Sequence, residues 1–183
     1  MRTTSSILVV AAAAAGVGCG SIDTHIDANP HLQNEIVGWR TYAWMATPEG
    51  GDPMVQNDIV RARVQDAVDR EMARLGYVQD AQDPDFRIGW AAAVEEKIEY
   101  DWGSDYYGYG WGGWYDDYAP DYAYEYSEGT LILDFVDGDS NQLAWRGVAE
   151  GRLHGTGANM PSNAEIKEAV HEILEEYPLR GQR

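Results

Sequence analysis

The sequence predicts an α+β fold in which two helices pack on one face of a mostly antiparallel sheet. Two segments carry apolar residues at helical spacing, and several others alternate apolar and polar residues as half-buried strands do. From the strand that ends at Trp44 onward, these elements follow one another as strand, helix, three strands and helix. A hydrophobic content of 44% in 183 residues is ordinary for a folded chain and fits a single domain.

Before the first strand, residues 1–18 are expected to be a signal peptide, leaving one domain over 19–183. Arg2 precedes the apolar run Ile7–Ala15, which is too short to span a bilayer, since a spanning helix needs about 20 apolar residues. Small residues follow the run, as at a signal-peptide cleavage site.

The one cysteine, Cys19, stands directly after Gly16-Val17-Gly18. This boundary resembles the lipobox of bacterial lipoproteins, in which the cysteine becomes the first mature residue and carries a diacylglycerol. The resemblance implies that Cys19 is acylated. Because Gly20 and Ser21, rather than Asp, come directly after Cys19, it also implies the periplasmic face of the outer membrane. The alternative is an ordinary cleaved signal with an incidental cysteine.

The first two strands are predicted at Ser21–Ile26 and Ile36–Trp44, with Asn29-Pro30 breaking the chain between them. The first alternates apolar and polar residues, and the second is rich in aromatic and branched residues. A helix is then predicted from the cap Asn57 to about Leu75, ending at Gly76. Its apolar stripe comprises Val60, Val64, Val68, Met72 and Leu75.

Three further strands are predicted. The first is a long strand that begins at Phe86, and the other two are Thr130–Val136 and Gln142–Leu153. Asp137–Asn141 is rich in turn-forming residues, so the last two strands are expected to form a hairpin. An ion pair between Arg146 and Asp134 is expected across it. A capping box, Ser162 to Glu165, opens the final helix, whose stripe comprises Ile166, Val170, Ile173, Leu174 and Tyr177 before Pro178.

Between these strands, residues 100–127 are expected to form a flexible aromatic and acidic loop. Tyr100–Tyr126 holds nine of the twelve tyrosines, three tryptophans, five glycines and six acids. A loop longer than about 15 residues is normally functional or disordered. It is therefore either a binding loop or a variable insertion without a role. The candidate binding residues are Tyr107, Tyr109, Trp111, Trp114 and Tyr115.

Taken in order, these segments resemble the bacterial lipoprotein domain of unknown function numbered 4136. The resemblance covers about Ser21 to Pro178 and implies an envelope lipoprotein with no established activity. It rests on Trp39-Arg40-Thr41-Tyr42-Ala43-Trp44, Gly76-Tyr77, Asp85-Phe86-Arg87-Ile88, Gly129-Thr130-Leu131-Ile132-Leu133-Asp134 with Asp137, and Leu143-Ala144-Trp145-Arg146-Gly147.

The composition disfavours several classes of function. A net charge of -18 repels nucleic acid, and one cysteine excludes a cysteine zinc site. No nucleophile elbow or phosphate loop is present, so no enzyme and no cofactor are expected. Asp23, His25 and Asp27 share one strand face, but three ligands without supporting groups favour a solvated face over a metal site.

The sequence therefore predicts a non-enzymatic lipoprotein of the cell envelope that acts through protein contacts. The alternative is a module that binds glycan or peptidoglycan, because tyrosine and tryptophan rings stack on sugars and carboxylates accept sugar hydroxyls. Trp39, Trp44, Trp90 and Trp145 are instead expected to pack in the core.

Overall fold

The computed structural model describes residues 22–46, 56–101, 122–154 and 160–178. These residues form six strands and three helices. In chain order they are β1 (Asp23–Ala28), α1 (Gln33–Gly38), β2 (Thr41–Trp44), α2 (Asp58–Arg74), β3 (Val78–Gln79), β4 (Phe86–Asp101), β5 (Tyr122–Asp137), β6 (Leu143–Leu153) and α3 (Asn163–Glu175). No helix of the described ranges is long and apolar enough to cross a membrane.

The strands form one mixed sheet in the order β1-β6-β5-β4-β2-β3. The pairs β1–β6, β6–β5 and β5–β4 are antiparallel, whereas β2 pairs in parallel with both β3 and β4. The expected mostly antiparallel sheet is therefore only partly right. The chain leaves β2, runs through the long helix α2 and returns beside β2, and such a crossover brings the next strand in parallel.

The predicted second strand, Ile36–Trp44, is wrong in its first half. Gln33–Gly38 forms the short helix α1, and β2 begins only at Thr41. The Asn29 side chain accepts a hydrogen bond from the His31 amide at 3.0 Å, which turns the chain ahead of α1. Ile36 lies on α1 and its side chain is buried in the core. A buried branched side chain is therefore compatible with a helix as well as with a strand.

Helix α2 confirms its predicted cap, stripe and end. The Asn57 side chain accepts from the amides of Ile59 and Val60, and Gly76 leaves the helix with a φ of 84°, which favours glycine. On its buried face the helix contributes Val60, Val64, Ala67, Val68 and Met72.

Helix α3 opens on the predicted capping box, with Ser162 and Glu165 each accepting from the other's backbone amide. Ile166, Val170, Ile173 and Leu174 are buried along its inner side. They share one hydrophobic core with α2 and with the sheet. The helical layer therefore covers one face of the strands.

Strands β4 and β5 are longer than predicted, because Glu99–Asp101 pairs with Tyr122–Tyr124. Residues 100–101 and 122–127 are thus strand residues, and the expected loop 100–127 is too long at both ends. Residues 102–121, with the candidate binding residues Tyr107, Tyr109, Trp111, Trp114 and Tyr115, lie outside the described ranges, as does Cys19.

The hairpin of β5 and β6 has the predicted turn. The Asp137 carboxylate accepts from the Ser140 amide at 2.7 Å and from the Ser140 hydroxyl at 2.6 Å. Asn141 adopts a φ of 60°, a backbone conformation that asparagine tolerates better than most residues. Short-range polar contacts therefore fix the register of the hairpin.

Aromatic rings fill one end of the layer between helices and sheet, which we call the aromatic end. Phe135 lies at its centre, with ring centroids 5.1 Å from Phe86, 5.0 Å from Trp145 and 4.8 Å from Tyr177. Gly147 lets α3 approach, because a Cβ there would lie 2.4 Å from Ile173 Cγ2. Of the predicted core tryptophans, Trp39 and Trp145 are buried, and Trp44 and Trp90 pack partly buried against the core.

Candidate functional site

At the opposite end of the same layer an open cleft of about 100 Å³ lies between the helices and the sheet. Its helical wall is formed by Val60 and Val64 of α2 and by Ile166 of α3. All three are almost fully buried. Leu131 and Ala92 belong to the wall formed by the sheet. We call this cavity the apolar cleft.

Small residues leave the apolar cleft open. Ala92 of β4 pairs with Leu131 of β5, which pairs with Ala149 of β6. Two residues further along the strands, on the same face and away from the aromatic end, Gly129 pairs with Gly151. At the aromatic end the equivalent row is Ile88, Phe135 and Trp145. Since the distance between helices and sheet is set by the large side chains, small ones on the same face leave unfilled volume.

At the mouth of the cleft, the Glu165 carboxylate holds the start of α3 and the end of β6 together. It accepts from the His154 amide at 2.6 Å and from the Ser162 amide at 2.7 Å. Burial alone would raise the pKa of Glu165, but these hydrogen bonds outweigh burial and hold its pKa below the ordinary value. Glu165 therefore stays ionised at neutral pH.

On the opposite face of the sheet, charged side chains pair with one another. Arg146 makes the predicted bidentate contact with Asp134, at 2.6 and 2.7 Å. The hydrogen bond from Arg146 to Asp134 raises the Arg146 pKa further. Lys97 pairs with Glu128, and the Arg152 guanidinium lies 3.9 Å from the centre of the Tyr126 ring.

The exposed strand face that carries Asp23, His25 and Asp27 belongs to β1. Within the described ranges, no group of three or more His, Cys, Asp or Glu side chains is arranged to hold a metal ion. His171 lies between the helices, with Nε2 3.2 Å from Glu175 and Nδ1 3.7 Å from Glu71. This cluster joins α2 to α3.

The residues of the apolar cleft were not among those expected to bind. The signal was present, because the core-facing run Phe86, Ile88, Trp90 of β4 continues into Ala92. Where the core-facing positions of a strand change from large to small residues, the side chains fill less of the space between sheet and helices. Which helix covers them depends on contacts distant in sequence, so the cleft itself becomes visible only in the fold.

The family model of the domain of unknown function DUF4136 matches residues 24–179 of the chain. The chain belongs to this family. None of the curated proteins is a significant match to it. The resemblance of the sequence to this family is therefore confirmed over residues 24–179.

Among solved structures, the DUF4136 domain is similar to a PDZ domain protein from Parabacteroides distasonis, with a TM-score of 0.54 and 11% identity. The match covers 87% of this chain but only 36% of that protein, and it shows a shared fold. A PelC dodecamer from Paraburkholderia phytofirmans matches 88% of this chain and 100% of that one, with a TM-score of 0.47 and 11% identity.

Most motif residues of the DUF4136 domain hold the fold together. Asp85 accepts from the Arg40 and Thr41 amides, at 2.6 and 2.8 Å, which fixes β2 beside β4. Tyr77 packs edge-on against Phe86, with ring centroids 5.6 Å apart. Trp145 and Gly147 shape the aromatic end. These motif residues stabilise the fold, and the apolar cleft lies beyond most of them.

Proposed function

We propose that this DUF4136 domain is a non-enzymatic binding module of the cell envelope, held at the outer membrane by an acyl group on Cys19. It acts through protein contacts made at the apolar cleft. The single observation that carries the proposal is the cleft itself, an open and mostly apolar cavity between the helices and the sheet. Exposed apolar surface with a polar rim is typical of protein contact sites and ligand-binding grooves.

The chemistry around the cleft supports binding rather than catalysis. Its walls are aliphatic, and the carboxylate at its mouth, Glu165, already accepts backbone hydrogen bonds that hold the helix cap. A general acid or base needs a proton that it can exchange with substrate at the working pH. Glu165 has a lowered pKa and its oxygens are occupied, so it serves the fold.

Membrane anchoring is tested by Cys19→Ser in cells. Loss of the thiol removes the attachment point of the acyl group, so we expect the protein to move from the membrane fraction to the soluble fraction. Fractionation with mass measurement of the mature protein checks this. An unchanged mass and an unchanged membrane fraction would contradict the anchor.

Contact at the cleft is tested by photocrosslinking in the intact envelope. A photoreactive residue replaces Glu168, an exposed residue of α3 that lines the cleft. The matched control places the same residue at Arg70, whose side chain is 61% exposed on α2. We expect protein adducts from position 168 and far fewer from position 70. Equal yields at both positions would argue against the cleft.

A second candidate function is glycan binding by the aromatic segment, residues 102–121. The ribbon of β4 and β5 that leads to it continues for five residue pairs beyond Ser127, where β6 makes its last pair with β5. The described part of this ribbon ends at Asp101 and Tyr122, beyond the stretch of β5 that pairs with β6. We expect Trp111→Ala with Trp114→Ala to reduce sedimentation with purified cell wall if the segment binds sugar. Unchanged sedimentation removes this candidate.

A further inference from the structure

We infer, on the basis of the proposed function, that the apolar cleft takes up one branched aliphatic side chain of a basic protein segment. The partner would carry a Lys or Arg next to that side chain. Three properties of the cleft lead to this ligand chemistry: its volume, the nature of its walls and the sign of the charge at its mouth.

The volume admits a side chain and little more. At about 100 Å³ the cleft is smaller than the engineered protein cavity of about 150 Å³ that holds a benzene ring. Pockets for cofactors and drug-sized ligands begin at about 300 Å³. A long acyl chain or a nucleotide would leave most of its surface in water. A Leu, Ile or Val side chain matches the space.

The walls favour an aliphatic group. Val60, Val64 and Ile166 present methyl groups and are at most 4% exposed, so the inner wall is fixed by the core behind it. Ala169 of α3 and Ala92 of β4 line the more open part. Removing apolar surface from water is favourable in proportion to its area, so walls that are mostly apolar favour an aliphatic ligand.

The charge at the mouth is negative on the side that faces the helices. Glu165 and Glu168 lie there three residues apart on α3, with His154 nearby. Arg63 of α2 donates to the carbonyl of the lining residue Pro161 at 3.2 Å, and the two carboxylates outweigh its single positive charge. The remaining charged lining residues, Glu150 and Arg152, occupy β6 positions that alternate to the opposite face of the sheet. A net charge of -18 over the chain adds long-range attraction for a basic partner.

The test uses capped dipeptides as probes and the full-length chain carrying Cys19→Ser, so that no acyl group competes. N-acetyl-leucyl-lysinamide is compared with the α-amide of N-acetyl-leucyl-glutamic acid, whose free γ-carboxylate reverses the charge, and with N-acetyl-seryl-lysinamide, which removes the aliphatic group. Binding is followed through the NMR methyl signals of Val60, Val64 and Ile166. We expect the leucyl-lysine probe to bind about threefold more tightly than leucyl-glutamate and about tenfold more tightly than seryl-lysine.

Two variants locate the binding. Ala169→Leu fills the cleft and should abolish the shifts, whereas the matched change Ala73→Leu, at an exposed position of α2, should leave them intact. Glu168→Lys should reverse the preference between leucyl-lysine and leucyl-glutamate. Binding that persists in Ala169→Leu, or equal affinity for the two leucyl probes, would overturn the inference. Shifts of the same methyl signals by palmitate or N-acetylglucosamine alone would also overturn it.

The outcomes separate this inference from the proposed function. Protein adducts from position 168 in cells, with no dipeptide bound, would overturn the ligand chemistry and leave the contact site standing. Leucyl-lysine binding without any adduct from position 168 would support the chemistry of the cleft and count against its use in the envelope.

Discussion

The two ends of the layer between helices and sheet are built on the same strands and helices, yet they are packed differently. At the aromatic end, Phe86, Phe135, Trp145 and Tyr177 interlock with ring centroids about 5 Å apart. At the other end, Ala92, Ala149 and Gly129 occupy equivalent positions and leave the apolar cleft. One end therefore supplies stability, and the other can tolerate the space that binding requires.

The largest expected effect comes from emptying the aromatic end. Phe135→Ala should lower the free energy of unfolding by about 3–5 kcal/mol, because it removes a fully buried ring and leaves a cavity. Chemical denaturation followed by tryptophan fluorescence measures it. A loss below about 1 kcal/mol would mean that the two ends contribute alike and that the comparison is wrong.

Two glycines of β6, one at each end of the layer, allow the packing of the two ends to be compared directly. A Cβ at Gly147 would lie 2.4 Å from Ile173 Cγ2, whereas a Cβ at Gly151 would lie 3.3 Å from Ile22 Cγ1. Gly147→Ala should therefore destabilise the domain by about 1–3 kcal/mol. Gly151→Ala should stay within about 0.5 kcal/mol. Similar melting temperatures for the two variants would contradict this difference.

The contribution of Glu165, at the mouth of the cleft, to the stability of the domain should depend on pH, with an effect of intermediate size. The pKa of Glu165 is lowered in the folded state, so its contribution is present above the ordinary pKa of 4.5 and is lost as the pH falls through the folded value. Glu165→Gln keeps the size and the capping geometry but cannot ionise. We expect the gap in melting temperature between wild type and variant to narrow from pH 6 to pH 3.

Two outcomes of this titration are diagnostic. A gap that stays constant over the whole range would show that the charge of Glu165 does not contribute to stability. A gap that widens as the pH falls would contradict the direction of the pKa shift.

The smallest expected effect is a gain in stability from filling the cleft. Ala92→Val adds two methyl groups facing the cavity and suits a strand, so the free energy of unfolding should rise by about 0.5 kcal/mol. The control is Ala91→Val, which faces away from the helices and is exposed. If the control stabilises the domain as much, strand propensity alone explains the gain.

The sequence predicted the parts of the fold that depend on local signals. The caps at Asn57 and Ser162, the turn at Asp137 and the stripes of both long helices follow from nearby residues. The helix α1 was missed, because Ile36 and Val37 fit a strand equally well. The parallel pairing of β2 was missed because sequence periodicity does not report which strands become neighbours.

The candidate site was harder to predict than the fold. Aromatic residues such as Trp111 draw attention because they are rare and large, and they lie outside the described ranges. The cleft is made of Ala, Gly and Val, which are common everywhere in proteins. Only the arrangement of α2, α3 and three strands in space turns these residues into a cavity, and that arrangement has no local signature.

The order of the strands also bears on how the domain avoids aggregation. In the part of the chain that the structure describes, the outermost strands of the sheet are β1 and β3, and open strand edges can add strands from neighbouring molecules. On β1 the exposed acids Asp23 and Asp27 would repel the same strand of another copy. On β3 only two residues are available for pairing. The two outermost strands, β1 and β3, are thus poor templates for β-sheet growth.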